Sequence, residues 1–79
     1  MHRRIVGRYS VEVRTLKTAA GRWKAAYIVE PAEHAGPRGF VMITLLDEFE
    51  EERLAVDAAM ERGIKHADWL AGARRSYSR

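Results

Sequence analysis

The repeat of the apolar residues changes near residue 47, and this change constrains the fold more than any other feature of the chain. Before it, short segments either alternate between apolar and polar residues or are apolar throughout, which is typical of β-strands. After it, apolar residues recur at steps of three, four and seven, which indicates one face of a long α-helix. The chain therefore predicts strands first and a single helix last.

Three strands are expected before this change. Residues 5–13 alternate, residues 23–29 are rich in aromatic and β-branched side chains, and residues 40–46 (FVMITLL) are apolar on both faces. Pro31 ends the second strand because it has no N–H to donate, and a loop over residues 31–39 follows. A strand that is apolar on both faces is usually covered on both sides.

The helix is expected over about residues 48–70. Asp47 stands at the N-cap position, and glutamates fill the first turns, where the helix dipole favours negative charge. Gly63 lies on the apolar stripe, which predicts a close approach to the sheet; the alternative is a break in the helix there. The basic residues 71–79 are expected to form a mobile tail.

The predicted fold class is α+β: a three-stranded antiparallel meander followed by one long C-terminal helix packed on one sheet face, or βββα. Residues 1–79 are expected to be a single domain with an ordered core of about residues 4–70. The chain has no cysteine, no apolar run of about 18 residues and no signal-peptide pattern, so we expect a soluble, cytoplasmic protein.

Charge is unevenly distributed along the chain. Residues 1–29 carry seven lysines and arginines against one glutamate, residues 30–61 nine acidic residues against two arginines, and residues 62–79 five cations against one aspartate. The helix dipole accounts for an acidic start and a basic end of the helix. It does not account for the basic first third, which points to a polyanionic partner such as nucleic acid.

One helix covers only one side of a three-stranded sheet, so the other side is a candidate contact face. On the first strand this open side is expected to hold Arg4, Arg8 and Arg14. The second strand turns either Trp23 and Tyr27, or the cations beside them, to the open side; burial of the aromatics is favoured because aromatics supply much of a small core. Either phase of the third strand leaves apolar area uncovered, and exposed apolar patches tend to mark contact sites. The exposed set is expected to be either Phe40, Met42, Thr44 and Leu46, or Val41, Ile43 and Leu45.

Nothing in the chain has the pattern of a catalytic or metal site. His2, His34 and His66 have no motif partner, and no nucleophile, phosphate-binding or zinc-binding motif is present. We therefore expect a non-catalytic binding module with no cofactor, no metal and no small-molecule substrate, and with no membrane contact.

Two segments, GRWKAAYIVEP (residues 21–31) and LAVDAAMERG (residues 54–63), resemble the β-sheet DNA-binding domain of plant ethylene-response factors. The resemblance covers roughly residues 20–63 and implies three antiparallel strands, a helix and DNA binding through the strands. The positions that it carries over are Arg14, Arg22, Trp23 and Lys24. The chain also looks like small uncharacterised bacterial proteins of strand-strand-strand-helix build, a resemblance that implies no activity.

Two functions follow as hypotheses. The first is nucleic-acid binding through an open basic and aromatic sheet face, whose candidate residues are Arg4, Arg8, Arg14, Arg22, Trp23 and Lys24. The alternative is a homodimer or a protein–protein interaction domain that uses the apolar third strand and the uncovered sheet face, with Phe40, Met42 and Trp69 at the interface. Salt dependence separates them, because phosphate contacts weaken steeply as salt rises and apolar contacts do not.

Overall fold

The protein is an antiparallel sheet with one long helix across it. The computed structural model describes the backbone of residues 2–32 and 40–77 and the side chains of residues 2–32 and 40–72. The strands pair antiparallel in the order β1-β2-β3-β4, and the helix follows them, so the predicted α+β class and strands-then-helix order are confirmed. The elements are β1 (His2–Val6), β2 (Tyr9–Lys17), β3 (Trp23–Pro31), β4 (Val41–Thr44) and α1 (Glu52–Tyr77).

The meander has one strand more than predicted, because the first predicted strand is a hairpin. The chain reverses at Gly7 and Arg8, and Val6 pairs with Tyr9 across this two-residue turn. Gly7 has a φ of 60°, a left-handed conformation that glycine adopts without a steric penalty. The reversal places Ile5 opposite Ser10, on the other face from Tyr9, where alternation alone had put it with Tyr9.

The helix begins later and ends later than predicted. Phe49 still belongs to the sheet: its N–H donates to the carbonyl oxygen of Trp23 at 2.8 Å, and the Trp23 N–H donates back at 2.7 Å. Because the chain stays extended to this point, Asp47 is not the N-cap and α1 starts at Glu52. The helix continues to Tyr77, into the predicted tail, whose last two residues lie outside the described ones, as do residues 33–39 of the predicted loop.

The core lies between α1 and the middle strands. The helix packs on β2 and β3 and also contacts β1, and its fully buried positions all have small side chains. Small residues let a helix approach a sheet closely, and a Cβ atom added at Gly63 would overlap Val11 Cγ1. The close approach predicted at Gly63 is therefore confirmed. The buried helix residues are Ala55, Ala59, Gly63 and Ala67, and they face Tyr9, Val11, Val13, Tyr27 and Val29 of the sheet.

Among the described residues, no helix is both long and apolar enough to cross a membrane.

Candidate interaction surfaces

The two aromatic residues of β3 lie on the helix side of the sheet. Cross-strand partners share a face, and Trp23 and Tyr27 pair with Lys17 and Val13 on the face that α1 covers. Tyr27 is buried and Trp23 is half-buried. The favoured arrangement is thus confirmed. The nucleic-acid hypothesis placed an aromatic residue on the open face, and this part of it is wrong because both side chains help to form the core.

Trp23 makes its contacts on the helix side of the sheet. Its backbone pairs with Phe49, its ring packs against the core, and Lys17 Nζ lies 5.8 Å from the ring centroid in a cation–π arrangement. The ring is therefore not presented to an incoming base on the open face.

The three arginines expected to line the open face of the first strand do not lie together. Arg14 is on the open face, where it pairs with Ala26 in register. Arg4 pairs with Val11 and so lies on the helix side of β1, and Arg8 lies in the hairpin turn. The expectation was wrong for Arg4 because the turn at Gly7 reverses the chain and moves the residues before it to the opposite faces of the sheet. It was wrong for Arg8 because this residue forms part of the turn.

Arg22 and Lys24 are drawn towards the acidic segment before the helix. Arg22 Nη2 donates to the carbonyl oxygen of Glu48 at 3.0 Å, and Arg22 Nε lies 3.4 Å from a Glu48 carboxylate oxygen. Lys24 Nζ lies 4.0 Å from the other oxygen of the same carboxylate. These partners are solvent-exposed, so each ion pair is weak, but together they tie both cations to Glu48.

The open face carries both positive and negative charges, and some of its side chains are buried. Ala26, Ile28 and Ser10 are buried there although α1 lies on the opposite face of the sheet. The small Ala26 side chain leaves a shallow depression of about 220 Å³. Arg14 is 3.7 Å from Glu12, so cations and acids share this face. The depression is lined by Arg14, Thr15, Leu16, Lys24, Ala25, Ala26, Met42 and Thr44.

Strand β4 is the part of the sheet that the helix leaves bare. In the described part of the chain, α1 packs on β1, β2 and β3 but not on β4. Met42 is 50% exposed on the open side and Ile43 is 40% exposed on the helix side. The exposed apolar area expected on this strand is thus confirmed. The cover that such an apolar run usually indicates is missing because α1, centred on β2 and β3, does not reach the edge strand.

Further apolar side chains continue this exposed area along the chain. Phe40 precedes β4 and is 45% exposed, and Leu46 follows it and is 95% exposed. Exposed apolar area of this kind tends to mark a contact site. We call Phe40, Met42, Ile43, Leu46 and Trp69 together the β4 surface.

Trp69 belongs to this surface through the helix flank that faces β4. Arg62, His66 and Trp69 follow one another at steps of four and three on one flank, and Arg62 Nη2 lies 3.6 Å from Asp47 Oδ2, just past β4. The His66 ring stands edge-on to Tyr27 at 5.8 Å and to Trp69 at 6.3 Å. Trp69 itself is 67% exposed, so it extends an aromatic cluster into solvent beside the bare strand.

The histidine of this cluster is engaged structurally. His66 Nδ1 and the Tyr27 hydroxyl share a hydrogen bond of 2.9 Å. Among residues 2–32 and 40–72, no group of three or more histidine, aspartate and glutamate side chains is placed to hold a metal ion. What the arrangement of Trp69 and the β4 side chains offers chemically is apolar and aromatic contact area.

Comparisons with protein-family models, with curated proteins and with solved structures found no match to this chain. The resemblances noted from the sequence stay predictions. Of the three residues proposed for a protein interface, Met42 lies in β4, Phe40 directly precedes it, and Trp69 lies on the helix flank that faces it. Of the six proposed for nucleic acid, Arg14 and Lys24 share the open face, and the others lie on the helix side, in the turn or against Glu48. The two alternative exposed sets expected for the run FVMITLL are not exclusive in the structure, because Met42 and Leu46 of one set and Ile43 of the other are all exposed.

Proposed function

We propose that this chain is a non-catalytic interaction domain that binds a protein partner through the β4 surface. The observation that carries this proposal is the exposure of apolar side chains on both faces of an edge strand that α1 does not contact. Burial of such side chains stabilises a complex by roughly 25 cal/mol for each Å² removed from water. Exposed Trp69 adds an aromatic side chain of the kind that dominates binding energy at protein interfaces.

Site-specific photo-crosslinking in the cells that make the protein tests this proposal. A photo-reactive phenylalanine analogue replaces Met42 in one variant and Leu54 in another. Leu54 is a matched control because it is a 40% exposed apolar residue on the outer face of the helix, compared with 50% for Met42. We expect discrete crosslinked products from position 42 and none from position 54. Equal products from both positions, or none from either, would contradict the proposal.

We propose nucleic-acid binding as a second function, moved from the open face to β1 and its turn. Arg3, Arg4 and Arg8 are all exposed, and none has an ion-pair partner among the described residues. Arg3 and Arg4 point to opposite faces of β1 and Arg8 lies in its turn, so the three cations line one edge of the sheet. Cations along an edge are suited to a phosphate backbone, which does not require an aromatic platform.

Binding of a random duplex oligonucleotide at several salt concentrations tests this second proposal. If the three arginines contact phosphates, the slope of log affinity against log salt is about −2.7, and affinity falls by about 40-fold between 50 and 200 mM salt. The triple variant Arg3→Gln, Arg4→Gln, Arg8→Gln is expected to lose this binding, whereas Arg53→Gln on the helix is expected to keep it. Absence of any gel shift at low salt would reject the proposal.

A further inference from the structure

We infer that the partner of the β4 surface is a second copy of this chain, joined by antiparallel pairing of the two β4 strands about a two-fold axis at Ile43. This inference rests on the proposed function, because it names the partner of the same surface. Three features of the strand carry it: the direction of its backbone groups, its lack of charge, and the apolar side chains on both of its faces.

The backbone groups of β4 alternate between the neighbouring strand and the free edge. The N–H of Leu45, just after β4, donates to the carbonyl oxygen of Ala25 at 2.9 Å. In an antiparallel ladder every second residue points the same way, so Ile43 also turns its N–H and C=O towards β3. Met42 and Thr44 then turn theirs away from β3, and in the described part of the chain no strand pairs with that edge.

A two-fold axis at Ile43 pairs the outward backbone groups of one β4 strand with the same groups of the second copy. Met42 of one copy lies opposite Thr44 of the other, so all four outward groups of each β4 strand gain a partner. Ile43 lies opposite Ile43 of the second copy in a non-hydrogen-bonded pair, in which the Cα atoms approach to about 4.5 Å. Isologous contact of this kind is the commonest arrangement in homodimers.

Charge distinguishes the two edges of the sheet. The free edge strand β1 contains His2, Arg3 and Arg4, and a second copy paired there would bring like charges together. Charged residues on an edge strand are a common protection against such pairing. Strand β4 (VMIT) contains no charged residue, so it lacks this protection and accepts an identical strand without repulsion.

The side chains define what the pairing covers. A two-fold axis perpendicular to the sheet keeps the helix side of one copy continuous with the helix side of the other. Ile43 is then covered on the helix side and Met42 on the open side, where Met42 and Thr44 of the two copies meet. The two helices, each centred on β2 and β3, would lie roughly 19 Å apart, four strand spacings, so they do not touch. Trp69 therefore borders the gap between the helices and is not required for strand pairing.

Charge-swapped variants at Ile43 test the two-fold geometry. Because this residue lies opposite itself, Ile43→Lys places two lysines face to face and Ile43→Glu places two glutamates face to face. We expect each variant alone to sediment at the 9.0 kDa monomer mass under conditions where the wild type approaches twice that mass. An equimolar mixture of the two is expected to recover the doubled mass, because lysine then faces glutamate.

The matched control is Ile5→Lys, which changes a 57% exposed isoleucine on the opposite edge strand and is expected to leave dimerisation unchanged. Circular dichroism verifies that each variant folds. If Ile43→Lys does not fold, Thr44→Pro replaces it, because it removes only an outward N–H and preserves the ladder to β3. We expect Thr44→Pro to raise the dimer dissociation constant at least about tenfold.

The outcomes separate this inference from the proposed function. A wild type that stays monomeric up to about 500 µM overturns the inference, since even weak dimers of micromolar to sub-millimolar affinity would be seen in that range. So does a dimer that persists in both Ile43 variants, or a mixture that fails to recover the doubled mass. If crosslinks from position 42 then join a protein of another mass, the proposed function stands with a different partner. If position 42 gives no crosslinks at all, the proposed function fails as well.

Discussion

Replacement of Gly63 by alanine is the substitution whose effect follows most directly from the packing of helix on sheet. The added Cβ would overlap Val11 Cγ1 and would lie 3.3 Å from both Cβ and Cδ1 of Tyr27. Both neighbours are themselves buried, so neither has room to move away. Overpacking of a core costs about 1–3 kcal/mol. Because alanine has a higher helix propensity than glycine, the substitution also stabilises the helix by about 1 kcal/mol.

The expected net effect of Gly63→Ala is a loss of up to about 2 kcal/mol in the free energy of unfolding. For a domain of this size the upper end of that range corresponds to a fall of roughly 15 °C in the melting midpoint. Thermal unfolding followed by circular dichroism measures it. The matched control is Gly72→Ala, on the same helix, where an added Cβ meets nothing within 4 Å and the helix propensity alone should raise the midpoint.

Removal of the overlapping atom provides a second check. In a Val11→Ala background the Cγ1 atom is gone, so Gly63→Ala should cost less than in the wild type or should become stabilising. A double-mutant cycle measures this coupling. The reasoning is refuted if Gly63→Ala behaves like Gly72→Ala, or if its cost is the same with and without the Val11 side chain.

Two smaller predictions concern hydrogen bonds between the sheet and the helix. Tyr27→Phe removes the bond to His66 beside the core and should lower the free energy of unfolding by about 0.5–1.5 kcal/mol in a urea titration. Thr15→Val removes the 2.7 Å bond from the threonine hydroxyl to Glu52. Because that bond is solvent-exposed, the same titration should show a change below about 0.5 kcal/mol, and a larger loss than for Tyr27→Phe would contradict this ranking.

The fold class could be predicted from the sequence because the spacing of apolar residues depends mainly on which face of a strand or helix is buried. Alternation in residues 9–13 and the stripe around Gly63 both survive in the structure, and together they specify a strand packed under a helix. The hairpin at Gly7 was missed because the residues on either side of it also read as strand, so alternation seemed almost continuous across the turn. A glycine inside a strand pattern was the available signal.

The candidate site was harder to predict, because it depends on which face of the sheet each strand residue occupies and on which strands the helix covers. The turn at Gly7 moved Arg4 to the helix side, and the bridge between Trp23 and Phe49 kept the chain extended where a helix start was expected. Residues 41–44 of the apolar run 40–46 form the predicted strand, and exposed apolar area on it was expected. Which of its sides are exposed depends on the lateral position of α1. Composition does not contain that information, since a buried strand and a bare contact strand are equally apolar.

The most direct test of the account is amide hydrogen exchange along β4 at low and at high protein concentration. In dilute solution the N–H of Ile43 should exchange slowly because it faces β3, and those of Met42 and Thr44 should exchange rapidly because they face the free edge. At high concentration, pairing with a second copy should slow exchange at Met42 and Thr44 and leave amides in β1 unchanged. Slow exchange at Met42 and Thr44 in dilute solution, or rapid exchange there at every concentration, would contradict a bare edge that pairs with its own copy.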